Sequence, residues 1–163
     1  PGVGAFGDCM EHLEQHGFVE LIREWIGTGR PLMGICLGLQ ALFADSEESP
    51  GVEGLGVLEG TVRRFQLEPP LKVPQIGWNR VEAVQPSCPM FAGVEPNAHF
   101  YLVHSFYIDT PDRGLIAGKT NYGIDYCSCV WRDNVFATQF HPEKSQAVGL
   151  RMLKNFADWS AGV

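Results

Sequence analysis

Apolar positions in the first third of the chain recur at helical spacing and then condense into one continuous run. Between Met10 and Ile26 they lie three or four residues apart, which is the period of a helix with one buried stripe. Gly17 interrupts this helix, and the glycines of residues 27–29 end it. The stripe consists of Met10, Leu13, Phe18, Leu21, Ile22, Trp25 and Ile26.

A buried strand that turns sharply into a helix is predicted next. Residues 32–36 form a short apolar run of the kind found in parallel sheets, and residues 37–43 have the pattern of a helix. Gly34 and Gly38 flank the junction, and glycine permits the tight backbone turn that such a junction requires. The turn would display the residue at the strand end, Cys36.

From residue 52 onward the pattern changes to short β-type runs separated by turn residues. Residues 132–134 are typical of a hairpin turn, because Asp and Asn tolerate turn dihedrals and apolar runs flank them. A final helix is expected to begin at Ser145, a good N-cap residue. The predicted strands cover residues 57–65, 73–84, 100–108, 115–120, 126–131 and 135–140. The prediction is therefore an α/β fold: α/β at the start, largely antiparallel β in the second half, and a closing helix.

Composition narrows the classes of function. A chain of 163 residues, 45% of them hydrophobic and 19% charged, is sized for one domain and can bury a core. Its net charge of −7 has the wrong sign for nucleic acid or an anionic membrane surface. The most apolar stretch, residues 31–44, is too short to span a bilayer. The five cysteines form no Cys-x-x-Cys pair, so a reducing, cytoplasmic setting is expected.

Cys36 is a candidate nucleophile. At the start of a helix, backbone N–H groups and the positive end of the macrodipole favour the thiolate that attacks carbonyl carbons. The alternative is a cysteine that simply fills the core, since free cysteine is among the most buried residue types. The flanking glycines leave the two interpretations about equally supported.

His141 and Glu143 are candidates for a base and its orienting group. Residues two apart in an extended chain point to the same side, and Pro142 biases His141 away from helix. A carboxylate on one imidazole nitrogen would leave the other free to exchange protons with a thiol. The alternative is a surface loop in which the two residues are neighbours by chance.

An oxyanion site is also expected, beside weaker candidates for other sites. The Leu37 N–H is a natural oxyanion donor, and the glycine-rich start of the chain, with Gly4, could supply a second, although an ordinary glycine-rich turn there is about equally supported. Cys127 and Cys129 would place both sulfurs on one side of a strand, where packing is the favoured interpretation. His12 and His16 are four apart on a helix, with no third ligand in view. No metal and no cofactor are expected.

With these residues the sequence resembles the class I, Cys-His-Glu glutamine amidotransferases, and within them the glutaminase subunits of imidazole glycerol phosphate synthase. The resemblance spans nearly the whole chain. The matching segments are residues 1–10 (PGVGAFGDCM), 34–40 (GICLGLQ), 74–79 (PQIGWN), 101–106 (YLVHSF) and 140–145 (FHPEKS).

The resemblance implies a role for each matched residue. Cys36 would attack the side-chain amide of glutamine, His141 would transfer protons, and Glu143 would orient His141. Gly4 and Leu37 would bind the oxyanion. The remaining roles fall to two groups: Gln40, His104, Ser105 and Phe106 would hold the amino-acid end of glutamine, and Trp78, Asn79 and Lys144 would dock on a (β/α)₈-barrel cyclase subunit that receives the ammonia.

The sequence also departs from the family. Gln75 and Ile76 stand where the family often has His and Met. Family members carry further β and α elements before the Pro-Gly-Val-Gly loop, so residues 1–163 are expected to form one N-terminally truncated domain of this open-sheet fold. Alone, such a chain would be unstable and inactive. The alternatives are a glutaminase of another synthase and a non-catalytic binding subunit.

Overall fold

The computed structural model describes residues 1–162. Its α-helices are α1 (Phe6–Gln15), α2 (Phe18–Gly27), α3 (Leu37–Gln40) and α4 (Gln146–Ser160). Its strands are β1 (Leu32–Ile35), β2 (Asp45–Ser46), β3 (Thr61–Arg64), β4 (Gln75–Arg80), β5 (Glu82–Ala83), β6 (His99–His104), β7 (Phe106–Asp109), β8 (Ile116–Tyr122), β9 (Ile124–Arg132) and β10 (Val135–Thr138). Short 3₁₀ turns cover Pro89–Phe91, Arg113–Leu115 and Pro142–Lys144.

The main sheet is mixed. Its strands run in the order β1, β10, β9, β7, β3, β2, and β8 also pairs with β9 and carries β5. The pairs β1–β10 and β2–β3 are parallel, and the others are antiparallel. The parallel pairing of β1 confirms the expectation from its apolar run. A separate antiparallel ladder joins β4 to β6.

Helices cover both faces of the main sheet. One apolar cluster unites α1, α2 and α3 with side chains such as Val130 and Val135. The other packs Met152 of α4 against Phe136 and Phe140. Because successive residues of β10 enter different clusters, the two faces of the sheet are both covered, and the fold class is confirmed as an α/β open sheet with helices on both sides.

Several predicted elements differ in extent. The first helix does break at Gly17, whose φ of 70° lies in the left-handed region. The helix predicted over residues 37–43 ends at Gln40, because the chain turns there to bury Phe43 completely. The strand predicted over residues 100–108 divides at Ser105 into β6 and β7, which join different sheets. None of the described helices is long and apolar enough to cross a membrane.

Ser145 occupies the N-cap position of α4, as predicted. Its hydroxyl makes no capping bond to the helix. It instead accepts a hydrogen bond from the Tyr101 N–H (2.9 Å) and donates one to the His141 carbonyl oxygen (2.6 Å). The side chain therefore ties the residues before α4 to strand β6.

Candidate active site

Cys36 occupies a strained turn between β1 and α3. Its φ of 55° and ψ of −105° lie where residues other than glycine are rare, and such strain costs on the order of 1–3 kcal/mol. The Cys36 N–H donates to the Thr138 carbonyl oxygen (2.7 Å), which anchors the turn to β10. Gly34 allows the chain to double back, because a Cβ there would lie 2.8 Å from the Gly38 oxygen. The geometry is that of a nucleophile elbow.

The glycine-rich start of the chain lies beside this elbow. Gly2 forms a parallel β-bridge with Cys36. Gly4 has a φ of +120°, which a residue with a side chain would rarely adopt. Both Gly4 and Leu37 line the same pocket as Cys36, where their N–H groups could face one oxyanion.

His141 lines the same pocket and forms a hydrogen-bonded pair with Glu143. The imidazole Nδ1 lies 2.7 Å from Glu143 Oε1, and His141 itself is buried. This contact places the proton on Nδ1 and leaves Nε2 as an acceptor. Within residues 1–162, the buried Nε2 has no hydrogen-bond partner. A base with one nitrogen oriented and the other free, beside a thiol, can accept the thiol proton.

Backbone contacts hold the His141 loop against β6. The His141 N–H donates to the Tyr101 carbonyl oxygen (2.9 Å), and Ser145 bridges the same two residues on their other polar groups. From the sequence, Ser145 is expected only as a helix cap. Its burial follows from its three-residue distance from Pro142, which brings it under the turn that carries His141.

Burial raises the pKa of the Cys36 thiol above its ordinary value. Glu143 adds to this rise, whereas the Leu37 N–H, the Gln139 amide and Lys144 oppose it. The Leu37 N–H at the helix start therefore favours the thiolate as expected, but its effect on the pKa is smaller than that of burial. The resting thiol is protonated at neutral pH, and a base is needed to activate it.

Two buried glutamines connect the elbow to the interior. Gln40 Nε2 donates to Gln139 Oε1 (3.0 Å), and Gln139 Nε2 lies 3.6 Å from Cys36 Sγ. Gln139 is not among the predicted site residues. The available signal is a glutamine near the end of the strand predicted over residues 135–140, two positions before His141.

The pocket has a volume of about 230 Å³, a size suited to one amino acid. Its lining includes all the residues expected to hold glutamine: Gln40, His104, Ser105 and Phe106. The His104 side chain, however, is buried, and its imidazole Nδ1 donates to the Phe106 carbonyl oxygen (2.7 Å). His104 therefore stabilises the backbone that lines the pocket. A larger groove of about 620 Å³ beside α1 and α2 has five acidic residues among its eleven lining residues, none of which is a cysteine or a histidine.

The residues expected to face a partner do not all share one surface. Trp78 is 46% exposed on the same side of β4 as Ile76, which is 64% exposed. Asn79 turns to the other side, where its amide donates to the Asn121 carbonyl oxygen (2.9 Å). Lys144 is exposed next to Glu143.

The paired cysteines of β9 face different ways, contrary to expectation. A β-bulge disturbs the register between β8 and β9 at Ser128, so alternation is lost there. Cys127 enters the cluster under α1–α3, and Cys129 enters the cluster under α4. In the described part of the chain, no group of three or more potential ligands is placed to hold a metal ion.

Comparison with known proteins identifies the family. The family described as "Glutamine amidotransferase class-I" matches residues 1–159 of this chain. The chain therefore belongs to that family. A crystal structure of a glutamine amidotransferase shares the fold, with a TM-score of 0.71 and 22% identity over 98% of this chain and 76% of that one. A glutamine amidotransferase from Thermotoga maritima gives a TM-score of 0.61 at 20% identity, over 99% and 61% of the two chains.

Within the class, the chain groups with the imidazole glycerol phosphate synthase subunits HisH. The HisH of Geobacter metallireducens is 53% identical over 163 residues, covering 96% of this chain and 77% of the relative. That of Syntrophotalea carbinolica is 50% identical, with coverage of 97% and 79%. The HisH of Methanocaldococcus jannaschii is 46% identical, with coverage of 97% and 78%.

Proposed function

We propose that this protein hydrolyses glutamine through a Cys36 thioester and delivers the ammonia to the cyclase subunit of imidazole glycerol phosphate synthase, in histidine biosynthesis. The observation that carries the chemistry is the His141 Nε2, which has no hydrogen-bond partner among residues 1–162 and lies in the same pocket as the Cys36 thiol. We place this reaction in the cytoplasm, supported by the five free cysteines. We also treat residues 1–163 as one amidotransferase domain, because both apolar clusters share one sheet.

In the first half of the reaction, His141 Nε2 accepts the thiol proton as Cys36 Sγ attacks the amide carbon of glutamine. The N–H groups of Leu37 and Gly4 hydrogen-bond the resulting oxyanion. When the carbon–nitrogen bond breaks, His141 returns the proton to the departing nitrogen and ammonia leaves. Glu143 keeps the imidazole in the correct tautomer and stabilises the imidazolium.

In the second half, His141 accepts a proton from water as the water oxygen attacks the thioester carbon. Collapse of the intermediate breaks the carbon–sulfur bond, releases glutamate and returns the proton to the thiol. The amino-acid end of glutamine lies against Gln40 and residues 104–106. Because the amide nitrogen of Gln40 is engaged by Gln139, its carbonyl oxygen is the group available to the substrate's ammonium.

Replacing Cys36 by Ala tests the chemistry. In the complex with the cyclase, glutamine-dependent synthesis should fall at least about 10³-fold. Synthesis supplied with ammonia directly should persist. Cys9→Ala, which removes another partly exposed free thiol, is the matched control and should retain both activities. Loss of both activities in Cys36→Ala would instead indicate a structural role for Cys36.

For the partner, we propose that the (β/α)₈-barrel cyclase docks on the exposed side of β4. The support is an apolar pair, Ile76 and Trp78, on a strand whose neighbour β6 contacts the His141 loop. Lys144, exposed in the turn that contacts β6, adds a positive charge to the proposed interface. Asn79 contributes by holding β4 to β8 through its bond to Asn121.

Trp78→Ala tests this surface. A buried tryptophan anchor is worth about 2 kcal/mol or more at an interface, so the dissociation constant for the cyclase should rise about 30-fold. Leu150→Ala removes another exposed apolar residue, on α4, and serves as the control, with a change of less than about twofold expected. Equal affinity of the Trp78 variant and the unaltered protein would remove β4 from the interface.

A further inference from the structure

Gln139 is fully buried and makes its side-chain contacts inside the active site. Its amide nitrogen lies 3.6 Å from the Sγ of Cys36, a residue 103 positions away in the chain. Its backbone N–H donates to the Ser128 carbonyl oxygen (2.8 Å), so the main chain is held by β9. The main chain that carries the amide is therefore held in place relative to the sulfur.

Gln40 determines which end of the Gln139 amide faces the sulfur. A primary amide has a donor end and an acceptor end, and Gln40 donates to the acceptor end at 3.0 Å. The NH₂ group must then point toward Cys36. A buried amide group that lacks a partner is costly, and here the sulfur is the partner that the structure provides.

The charged groups around the sulfur do not supply this contact. Glu143 disfavours a negative charge on Cys36, and Lys144 favours one from the exposed side. Glu48, on another wall of the pocket, has a carboxylate oxygen that accepts from the Phe6 N–H (2.8 Å). His141 lies in the pocket, and its Nε2 makes no hydrogen bond to any described residue. Among the described residues, the neutral donors to the sulfur are the Leu37 N–H and the Gln139 amide.

We propose that Gln139 stabilises the Cys36 thiolate, donating a hydrogen bond from its amide to the sulfur, with Gln40 holding that amide in the productive orientation. This role rests on the proposed glutaminase chemistry and adds a residue to it. As His141 takes the thiol proton, the Gln139 NH₂ meets the growing negative charge and keeps its own protons. The same NH₂ group donates to the thiolate again when the carbon–sulfur bond breaks.

The test replaces Gln139 by Met, which has a similar length and no donor. The rate of Cys36 alkylation by iodoacetamide is measured against pH in the purified protein by peptide mass spectrometry. The inflection should move up by about one pH unit, which is a tenfold lower rate at pH values below it, equivalent to about 1.4 kcal/mol. Glutamine turnover should lose kcat by a similar factor, and KM should rise as well, because Gln139 also orients the Gln40 amide that holds the substrate's ammonium.

Two further variants keep the result interpretable. Ser128→Ala removes an equally buried hydroxyl from the neighbouring strand and should leave the alkylation profile unchanged. Gln139→Asn retains a buried amide but withdraws it from the sulfur, and it replaces the Met variant if that protein unfolds. The same upward shift is expected.

An unshifted alkylation profile in folded Gln139→Met or Gln139→Asn would overturn the proposal, even if turnover fell, because a packing role alone would not move it. Alkylation requires no glutamine. A shifted profile in a protein whose Cys36→Ala variant still hydrolysed glutamine would therefore reject the proposed function and leave the sulfur contact standing.

Discussion

Ser145→Ala should destabilise the protein and slow its chemistry together. The hydroxyl accepts from the Tyr101 N–H at 2.9 Å and donates to the His141 carbonyl oxygen at 2.6 Å, and the side chain is fully buried. Each lost bond costs about 1 kcal/mol, and polar groups left buried without partners add on the order of 1–3 kcal/mol. We expect a loss of about 2–4 kcal/mol in the free energy of unfolding.

Urea denaturation measures this loss. With an m-value of about 2 kcal/mol per molar for a chain of this size, the midpoint should fall by roughly 1–2 M. Because Ser145 also braces the loop that carries His141, kcat for glutamine should fall in the folded variant. Synthesis by the complex with the cyclase should keep its normal rate when ammonia is supplied directly, because that reaction does not need His141.

Ser128→Ala provides a matched control for the same atomic change. Ser128 is as deeply buried as Ser145, but within the described residues its hydroxyl has no hydrogen-bond partner. Its removal should change stability by less than about 0.5 kcal/mol or increase it, since a buried hydroxyl without a bond is unfavourable. Equal losses in the two variants would refute the bridging role assigned to Ser145.

Three further expectations follow from the buried groups. Burial lowers the pKa of His104 to about 4 from an ordinary 6.5. The stability that neutral His104 contributes is therefore complete above pH 6.5, and about 3 kcal/mol of it is lost as pH falls toward 4. In urea titrations, the free energy of unfolding of a His104→Gln variant should depend less on pH than that of the unaltered protein. Gly34→Ala should lower the melting temperature and abolish glutaminase activity, because the added Cβ would lie 2.8 Å from the Gly38 oxygen. Gly27→Ala is the control and should be tolerated, because no described atom lies within 4 Å of the added Cβ apart from its chain neighbours and the backbone of its own helix. Tyr126→Phe removes the hydroxyl that donates to Gln75 Oε1 (2.8 Å), and calorimetry should show a loss of about 1–3 kcal/mol.

Local patterns predicted the parts of this fold whose determinants lie close together in the chain. The elbow at Cys36, the break at Gly17 and the turn at residues 132–134 all depend on neighbouring glycines or turn residues, and each is present. Asp133 indeed adopts a φ of 49° in that turn. The pairing of His141 with Glu143 also follows from a spacing of two.

Features that depend on tertiary contacts could not be predicted in this way. The Gln139 amide meets Cys36 only because β10 lies alongside β1, and no periodicity signals that contact. Alternation along β9 predicts that Cys127 and Cys129 point to the same side of the sheet. Because of the bulge at Ser128, they point to opposite sides. Cap preferences are local and assign Ser145 to the helix that follows it, yet one of its two partners comes from β6.

The ladder between β4 and β6 gives one residue contacts in two directions. Tyr101 is paired with Trp78 across the ladder, and its carbonyl oxygen accepts from the His141 N–H. A small molecule that wedged the two strands apart from the outer side would displace the imidazole without occupying the amino-acid pocket. Inhibition by such a compound would be non-competitive with glutamine, and raising the substrate concentration would not relieve it.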